Sequence, residues 1–251
     1  MLVAIKDIGE IILTQEKKDP ITSIIENPGV EKVLSILFDK NYCYIGIELS
    51  DFDNSDIMLY LYRRGSSNGP DVTPTSKKAE NNVDNIIKRT LNKKIYAWFE
   101  KYSDKDEMFC KIYESFKKNK DKIEENVREK LSSINLTKTS LVLTVKMDGK
   151  YIGKIEQFKK FLIDYFLAEK VKKSYSKKNV CSICGELKDE VFTTSEIYKF
   201  YTLDKECYIS SGFREEHAWK NFPICKDCFL KIEEGKRIVE KDLSFKFSGI
   251  S

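Results

Sequence analysis

Histidine is almost absent from this chain of 251 residues, since His217 is the only one. A single imidazole excludes metal sites built on several histidines and nearly excludes Ser-His-Asp or Cys-His nucleophilic sites. The sequence contains no G-x-x-x-x-G-K-[ST] phosphate loop, and its carboxylates form no recognisable acid–base pair. We therefore expect a protein that is not an enzyme.

Long apolar runs are absent as well. No stretch approaches the roughly 20 apolar residues of a membrane span, and Lys6 and Asp7 interrupt the start where a secretion signal needs an apolar core. Neither charge sign dominates, because 44 Lys+Arg and 40 Asp+Glu leave a net charge of +4. We expect a cytoplasmic protein without membrane contacts, in which any basic surface is local.

The chain does contain ample material for a core, with 41% hydrophobic and 12% aromatic residues. Apolar residues at helical spacing predict helices in residues 1–14, 30–38, 83–98, 106–131 and 155–166. Period-two alternation predicts strands, the first two forming a hairpin, in residues 42–49, 57–62 and 141–145. Asp148-Gly149 is a strong hairpin turn. The mixture predicts an α+β fold of helices with β-hairpins.

The segment Lys170–Lys178 is a composition shift rich in lysine, which favours a boundary there. We predict an N-terminal α+β domain over residues 1–170 and a zinc-binding region with four cysteine ligands over 171–251. The chain ends on the apolar segment Leu243–Phe247, which has the pattern of an unfinished strand. We therefore expect an N-terminal fragment whose zinc-binding region continues into a C-terminal part.

Two cysteine pairs carry the strongest chemical signal. Cys181-Ser-Ile-Cys184 is followed by Gly185, and Pro223-Ile-Cys225-Lys-Asp-Cys228 opens a predicted helix that Gly235 should end. Four thiolates suit a tetrahedral Zn²⁺, glycine permits the tight turn, and a helix N-terminus favours thiolates. Closing the long intervening loop costs about 3–4 kcal/mol, against roughly 10–16 kcal/mol from a structural zinc. The sequence predicts structural Zn²⁺ at Cys181, Cys184, Cys225 and Cys228, with an iron–sulfur cluster as the alternative.

The other three cysteines have weaker interpretations. Seven cysteines without a secretion signal argue against a disulfide framework. Cys43 and Cys110 lie on predicted apolar faces, so we expect both in the core. Cys207 could compete as a metal ligand but lacks a partner at the right spacing, and His217 is expected to be structural.

Arg63–Lys78, with the sequence RRGSSNGPDVTPTSKK, is predicted to be a polar loop. Glycine permits close backbone approach, while arginine and asparagine can donate hydrogen bonds to phosphates or base edges. An ordinary surface loop is the alternative. The lysines of residues 117–120 and 170–178 are weaker candidates, because a run of charges is usually a solvated face.

Three segments, RRGSSNGPDVTPTSK, CSICGE and KFYTLDKECYISSGFREEHAWKNFPICKDCFLKIEEGK, resemble the large subunit of the type I-B CRISPR Cascade complex. Ala4–Leu13 resembles the family's first helix, so the similarity spans almost the whole chain. Family members are usually much longer, which agrees with a fragment. The resemblance is most specific over Cys181–Gly235.

The resemblance implies a non-catalytic subunit for antiviral defence. Such a subunit lies at the crRNA 5′ end, helps to recognise the PAM of target duplex DNA and contributes to recruiting the helicase–nuclease. Its partners would be crRNA, target DNA and the other Cascade subunits, both backbone and crRNA-5′-end. The family-like loop supplies the candidate nucleic-acid contacts Arg63, Arg64, Ser67, Asn68, Lys77 and Lys78. A zinc-stabilised nucleic-acid-binding or transcription-type interaction module is the alternative, although it would not need that loop.

Overall fold

The computed structural model describes residues 1–16, 19–67, 69–171, 175–193, 197–198 and 214–243. Two compact units are present. Ile25–Leu162 forms one, here called the sheet unit, while Met1–Ile24 and Ile163–Ser251 form the other, here called the cysteine unit. No helix in the described part is both long and apolar enough to cross a membrane.

A mixed sheet of five strands lies at the centre of the sheet unit. The strands are β1 Lys32–Phe38, β2 Tyr44–Asp51, β3 Ser76–Lys77, β4 Leu141–Met147 and β5 Lys150–Tyr151. Their order is β2-β1-β4-β3, with β5 also paired to β4. Strand β1 is antiparallel to β2 and parallel to β4. All seven residues of β4 are buried, as expected of a central strand covered on both faces.

Strand β1 shows that the predicted helix over residues 30–38 is wrong. A short run of apolar residues fits a buried strand as well as a helix face, and pairing with β2 and β4 decides between them. The preceding Asn27-Pro28-Gly29 forms a turn rather than a helix start. Asn27 Oδ1 accepts a hydrogen bond from the Gly29 amide at 2.8 Å, and Gly29 has φ +58°.

The predicted hairpin of residues 42–49 with 57–62 is also wrong. Strand β2 pairs back with β1, with Ile47 opposite Ile36. Ile57–Leu59 forms a 3₁₀ turn, and Leu61 has φ +44°, which a β-strand does not accommodate. This segment instead contributes Tyr60 to the core, stacked on Phe52 with ring centroids 4.3 Å apart.

The helices of the sheet unit follow the predicted pattern more closely. They are α2 Val83–Asn85, the π-helical segment Ile86–Tyr96, α3 Ala97–Tyr102, α4 Glu107–Lys118 and α5 Lys120–Ser132. The helix predicted over 106–131 is divided at Asn119, whose φ of −109° and ψ of 15° interrupt it. Trp98 anchors the aromatic core, with ring centroids 5.0 Å from Phe109. Helix α6, Glu156–Val171, confirms the last helix predicted in this region.

Among its described residues, the cysteine unit contains two α-helices, two short 3₁₀ helices (Pro20–Ser23 and Glu215–Lys220) and a two-stranded hairpin besides the end of α6. The α-helices and strands are α1 Leu2–Gln15, β6 Tyr175–Val180, β7 Leu187–Phe192 and α7 Lys226–Asp242. The unit, together with the sheet unit, gives the α+β class that the sequence predicts.

Gly235 does not end α7, contrary to the prediction, because the helix continues to Asp242. Its role is close packing against α1. A Cβ atom at Gly235 would lie 1.9 Å from the Ile5 carbonyl oxygen, and one at Gly9 would lie 1.9 Å from that of Lys231. Lys231 Nζ also donates a 2.6 Å hydrogen bond to Glu10. The N-terminal helix is thereby joined to the helix that carries the second cysteine pair.

Candidate functional site

The first cysteine pair lies in the turn between β6 and β7. The Cys181 amide donates to the Glu186 carbonyl at 3.0 Å, and the Gly185 amide donates to the Cys181 carbonyl at 2.9 Å. Gly185 has φ +72°, a conformation that glycine adopts without strain. These bonds fold the chain back on itself, as the CxxC-Gly pattern predicts.

The second cysteine pair lies at the start of α7. Cys225 is the N-cap residue, and Cys228 follows in the first turn. Phe192 of β7 and Ile224 exchange backbone hydrogen bonds at 2.8 and 2.9 Å, which fixes the entry to the helix beside the hairpin. The Cys225 amide donates to Cys181 Sγ at 3.3 Å. The two pairs therefore meet although a long segment separates them.

The four sulfur atoms form one cluster. The Sγ atoms of Cys181, Cys184, Cys225 and Cys228 all lie within 4.8 Å of one another. Tetrahedral Zn–S bonds of about 2.3 Å would separate sulfurs by about 3.8 Å, so the set fits one ion after a small contraction. Cys184 is exposed and the other three are buried. Among the described residues, these four cysteines form the cluster of possible metal ligands.

Burial opposes ionisation of the clustered thiols. It raises the pKa of the Cys225 and Cys228 thiols. Burial also acts to raise the pKa of Cys181, but hydrogen bonds from the backbone amides of Cys184 and Cys225 outweigh it and lower that pKa to about 7. A divalent ion would therefore displace protons from the buried thiols and compensate the charge of the thiolates that it binds.

Cys43, Cys110 and His217 lie outside this cluster. Cys43 is exposed and Cys110 is half-buried, so the expectation that both belong to the core is wrong. Cys43 lies in the β1–β2 turn, where its amide donates to Asp39 Oδ1 at 2.8 Å. His217 belongs to the 3₁₀ helix Glu215–Lys220. Cys207 lies outside the described residues.

The Arg63–Lys78 loop presents only some of its predicted contacts to solvent. Arg64, Ser67 and Lys77 are exposed, whereas Arg63 and Lys78 are half-buried. Asn68 lies outside the described residues. In the first arm of the loop, residues 63–67, Arg64 and Ser67 are therefore the predicted contacts that are exposed.

The two lysines at the end of the loop bond to the protein. Lys77 lies in β3, and its Nζ donates to the Pro28 carbonyl at 3.0 Å. Lys78 Nζ donates to Asn81 Oδ1 at 2.9 Å and to the Leu136 carbonyl, and burial lowers the pKa of Lys78. Lys78 thus stabilises the adjacent segments of its own chain, around Asn81 and Leu136.

Two residues at the base of this loop have no signal in the sequence. The buried Asp71 accepts hydrogen bonds from the loop itself, and Lys94 approaches it from the π-helical segment. Lys94 is far from the loop along the chain, so neither spacing nor composition connects the two.

Comparison with known families agrees with both parts of this geometry. A family model for the N-terminal domain of CRISPR-associated protein TM1802 matches residues 1–164. A model for the central domain of the same protein matches residues 178–251. The chain belongs to the CRISPR-associated TM1802 family. The N-terminal match contains the Arg63–Lys78 loop and the central match contains all four clustered cysteines.

The TM1802 family therefore accounts for nearly the whole chain, and the expected CRISPR association is confirmed. The two matched regions are separated by residues 165–177, which include part of the lysine-rich segment. No curated protein and no solved structure matches the chain.

Proposed function

We propose that this chain acts as a non-catalytic, nucleic-acid-binding large subunit of a type I-B Cascade complex. Its task would be to contribute to PAM and target recognition in the cytoplasm, together with crRNA, the backbone and crRNA-5′-end subunits, and the helicase–nuclease. Membership of the TM1802 family supports the CRISPR context. The exposed Arg64 and Ser67 beside an anchored loop base are the observation that carries the binding role.

The physical requirements of that task agree with the residues present. In a guided complex, base pairing reads the long target, while protein side chains read the short flanking sequence and the backbone. Such recognition needs positioned hydrogen-bond donors and positive charge but no catalytic group. The Arg64 guanidinium suits a guanine edge or a phosphate, and the Ser67 hydroxyl suits either a base or a phosphate.

We propose further that the four-sulfur cluster holds a structural Zn²⁺. The ligands would be Cys181, Cys184, Cys225 and Cys228, which leave no open coordination position for water or substrate. The ion would fix the β6–β7 hairpin against the start of α7. Elemental analysis should find about one zinc per chain, whereas iron with acid-labile sulfide and visible absorption would identify a cluster instead.

The functional proposal is tested in the reconstituted complex. Binding to target duplexes with correct and incorrect flanking sequences is compared for wild type, Arg64→Ala and Ser67→Ala. Loss of a direct base contact should reduce discrimination by about tenfold. Arg128→Ala is the matched control, because Arg128 is an exposed arginine of the same unit that pairs with Asp84.

Two outcomes would overturn the proposal. Unchanged binding and discrimination in the Arg64 and Ser67 variants would remove the loop from recognition. Metal-dependent cleavage of DNA or RNA by the purified chain, lost on a point substitution in this sequence, would show that it is an enzyme.

A further inference from the structure

The two arms of the Arg63–Lys78 loop are joined at their base by one buried carboxylate. Asp71 lies on the second arm, and its side chain is 6% exposed. Its Oδ1 accepts a hydrogen bond from the Gly65 amide of the first arm at 2.9 Å. Its Oδ2 accepts one from the Ser76 hydroxyl at 2.5 Å. One side chain thus holds three points of the loop together.

Lys94 extends this connection from a helix outside the loop. Its Nζ donates to the Ser66 carbonyl on the first arm at 3.0 Å and lies 3.5 Å from Asp71 Oδ1 on the second. The Lys94 side chain is 20% exposed, so most of it is covered by the protein. Because both arms contact the same ammonium, neither can move away without breaking a charge-assisted bond.

The backbone of the arms is as close as sterics permit. A Cβ atom at Gly65 would lie 2.5 Å from the Pro70 carbonyl oxygen. Below this contact, the Val72 amide donates to the Arg63 carbonyl at 3.2 Å, and Trp98 Nε1 donates to the Val72 carbonyl at 2.9 Å. The segment directly flanking Arg64 and Ser67 is therefore fixed at several points to the core of the unit.

Such a network is more than the fold requires. Replacing a buried ion pair by packed apolar groups is often neutral or stabilising, so the pair is poor evidence for a role in stability. A defined loop direction has a clear benefit for binding, because side chains that are already ordered lose less entropy on contact with a ligand. Arg64 and Ser67 are exposed directly beside the residues that this network holds, Gly65 and Ser66.

We propose that Asp71 and Lys94 are positioning residues that direct Arg64 and Ser67 toward nucleic acid. This inference rests on the proposed function of the loop. Neither residue needs to touch the ligand itself. Their contribution would be a loop whose contact groups hold one orientation before target DNA arrives.

The experiment compares Lys94→Met, Lys94→Arg and Asp71→Asn with wild type in the reconstituted complex. Discrimination between correct and incorrect flanking sequences should fall about tenfold in Lys94→Met, as expected when one charge-assisted bond is lost. Lys94→Arg should restore it, because arginine can still donate to both arms. In the free chain, hydrogen exchange of the Gly65 amide should accelerate in Lys94→Met and Asp71→Asn.

Lys146→Met is the matched control. Lys146 is also a poorly exposed lysine of the sheet unit and pairs with Glu48 at 2.8 Å, away from the loop. It should lower thermal stability to a similar extent but leave discrimination unchanged. Equal loss of discrimination in Lys146→Met and Lys94→Met would reduce the Lys94 effect to general destabilisation and overturn the inference.

The outcomes separate this inference from the proposed function. If Arg64→Ala reduces discrimination while Lys94→Met does not, the loop binds nucleic acid and the positioning role is wrong. If Arg64→Ala has no effect, the proposed role of the loop fails first. If Lys94→Met does not fold, Asp71→Asn decides, because it removes the carboxylate charge that pairs with Lys94 and weakens the bond to the Gly65 amide while keeping the size of the side chain. Wild-type discrimination in that variant then overturns the inference.

Discussion

Replacing Cys228 by serine should damage the metal centre more than replacing Cys184. Both belong to the same sulfur cluster, but Cys228 is 4% exposed in the first turn of α7, whereas Cys184 is exposed on the outer side. In Cys184→Ser, water can occupy the vacated position of the ion. In Cys228→Ser, the vacated position would be buried where water does not readily replace the lost ligand, which is far more costly.

The expected loss of stability is obtained by comparing the cost of closing the chain between the cysteine pairs with the free energy that the proposed zinc would supply. Residues 185–224 connect the two cysteine pairs, and closing such a loop costs about 3 kcal/mol. A structural zinc supplies roughly 10–16 kcal/mol, so it closes the loop with a wide margin. With free zinc near a thousand times its dissociation constant, the apparent stabilisation is about 4 kcal/mol. Cys228→Ser should lose nearly all of that stabilisation and Cys184→Ser a smaller part.

The assay combines metal content with unfolding. Zinc per chain, thermal unfolding with and without a chelator, and proteolysis near the start of α7 are compared for both variants. Cys43→Ser is the control, because Cys43 is exposed and lies outside the cluster. Retention of full zinc by Cys228→Ser, or greater damage from Cys184→Ser, would refute the reasoning.

Three further substitutions test a close helix contact, a buried hydroxyl and an ion pair. Gly235→Ala should destabilise the chain by about 1–3 kcal/mol in thermal unfolding, because its Cβ would clash with the Ile5 carbonyl; an unchanged melting temperature would contradict the close contact. Ser35→Ala should be neutral or stabilising by up to about 1 kcal/mol, since within the described part its buried hydroxyl has no hydrogen-bond partner; a large loss would mean that the hydroxyl has one. Hydrogen bonds from Lys231, with a smaller contribution from Lys6, lower the pKa of Glu10 from 4.5 to about 2. Its contribution to stability is therefore complete above pH 4.5 and lost as the pH falls toward 2. In Glu10→Gln, the melting temperature should fall less steeply over that range, and an identical pH profile would argue against the ion pair.

The predictions that succeeded rest on local patterns. Apolar spacing predicts α1 and α4–α6 because one helix face must be buried whatever lies opposite. The clustering of the Cys181 and Cys225 pairs was also predictable, since CxxC is a spacing typical of metal ligands. Asp148-Gly149 likewise forms its turn, joining β4 to β5, because its backbone preference is intrinsic to those residues.

Most of the failures concern contacts between distant segments that local patterns do not encode. Lys32–Phe38 has apolar residues on both faces, and only pairing with Leu141–Met147, distant in sequence, makes it a central strand. Gly235 is the residue type that commonly ends a helix, yet its contact with α1 determines its role. The Asp71–Lys94 contact likewise joins two segments with no shared motif. Cys43 differs, because the turn after β1 simply places it at the surface.

Residues 65–71 and residues 185–224 need links of different strength, because the cost of closing a chain segment grows with its length. The chain from Gly65 to Asp71 is short, and closing it costs about 1.5–2 kcal/mol. Hydrogen bonds to charged groups contribute about 1.5–3 kcal/mol each, so the bonds of Asp71 and Lys94 suffice. For residues 185–224, one such bond would barely offset the closure cost of about 3 kcal/mol. The metal ion proposed for the four-sulfur cluster would exceed that cost severalfold, which favours a metal site over an ion pair as the link between the β6–β7 hairpin and α7.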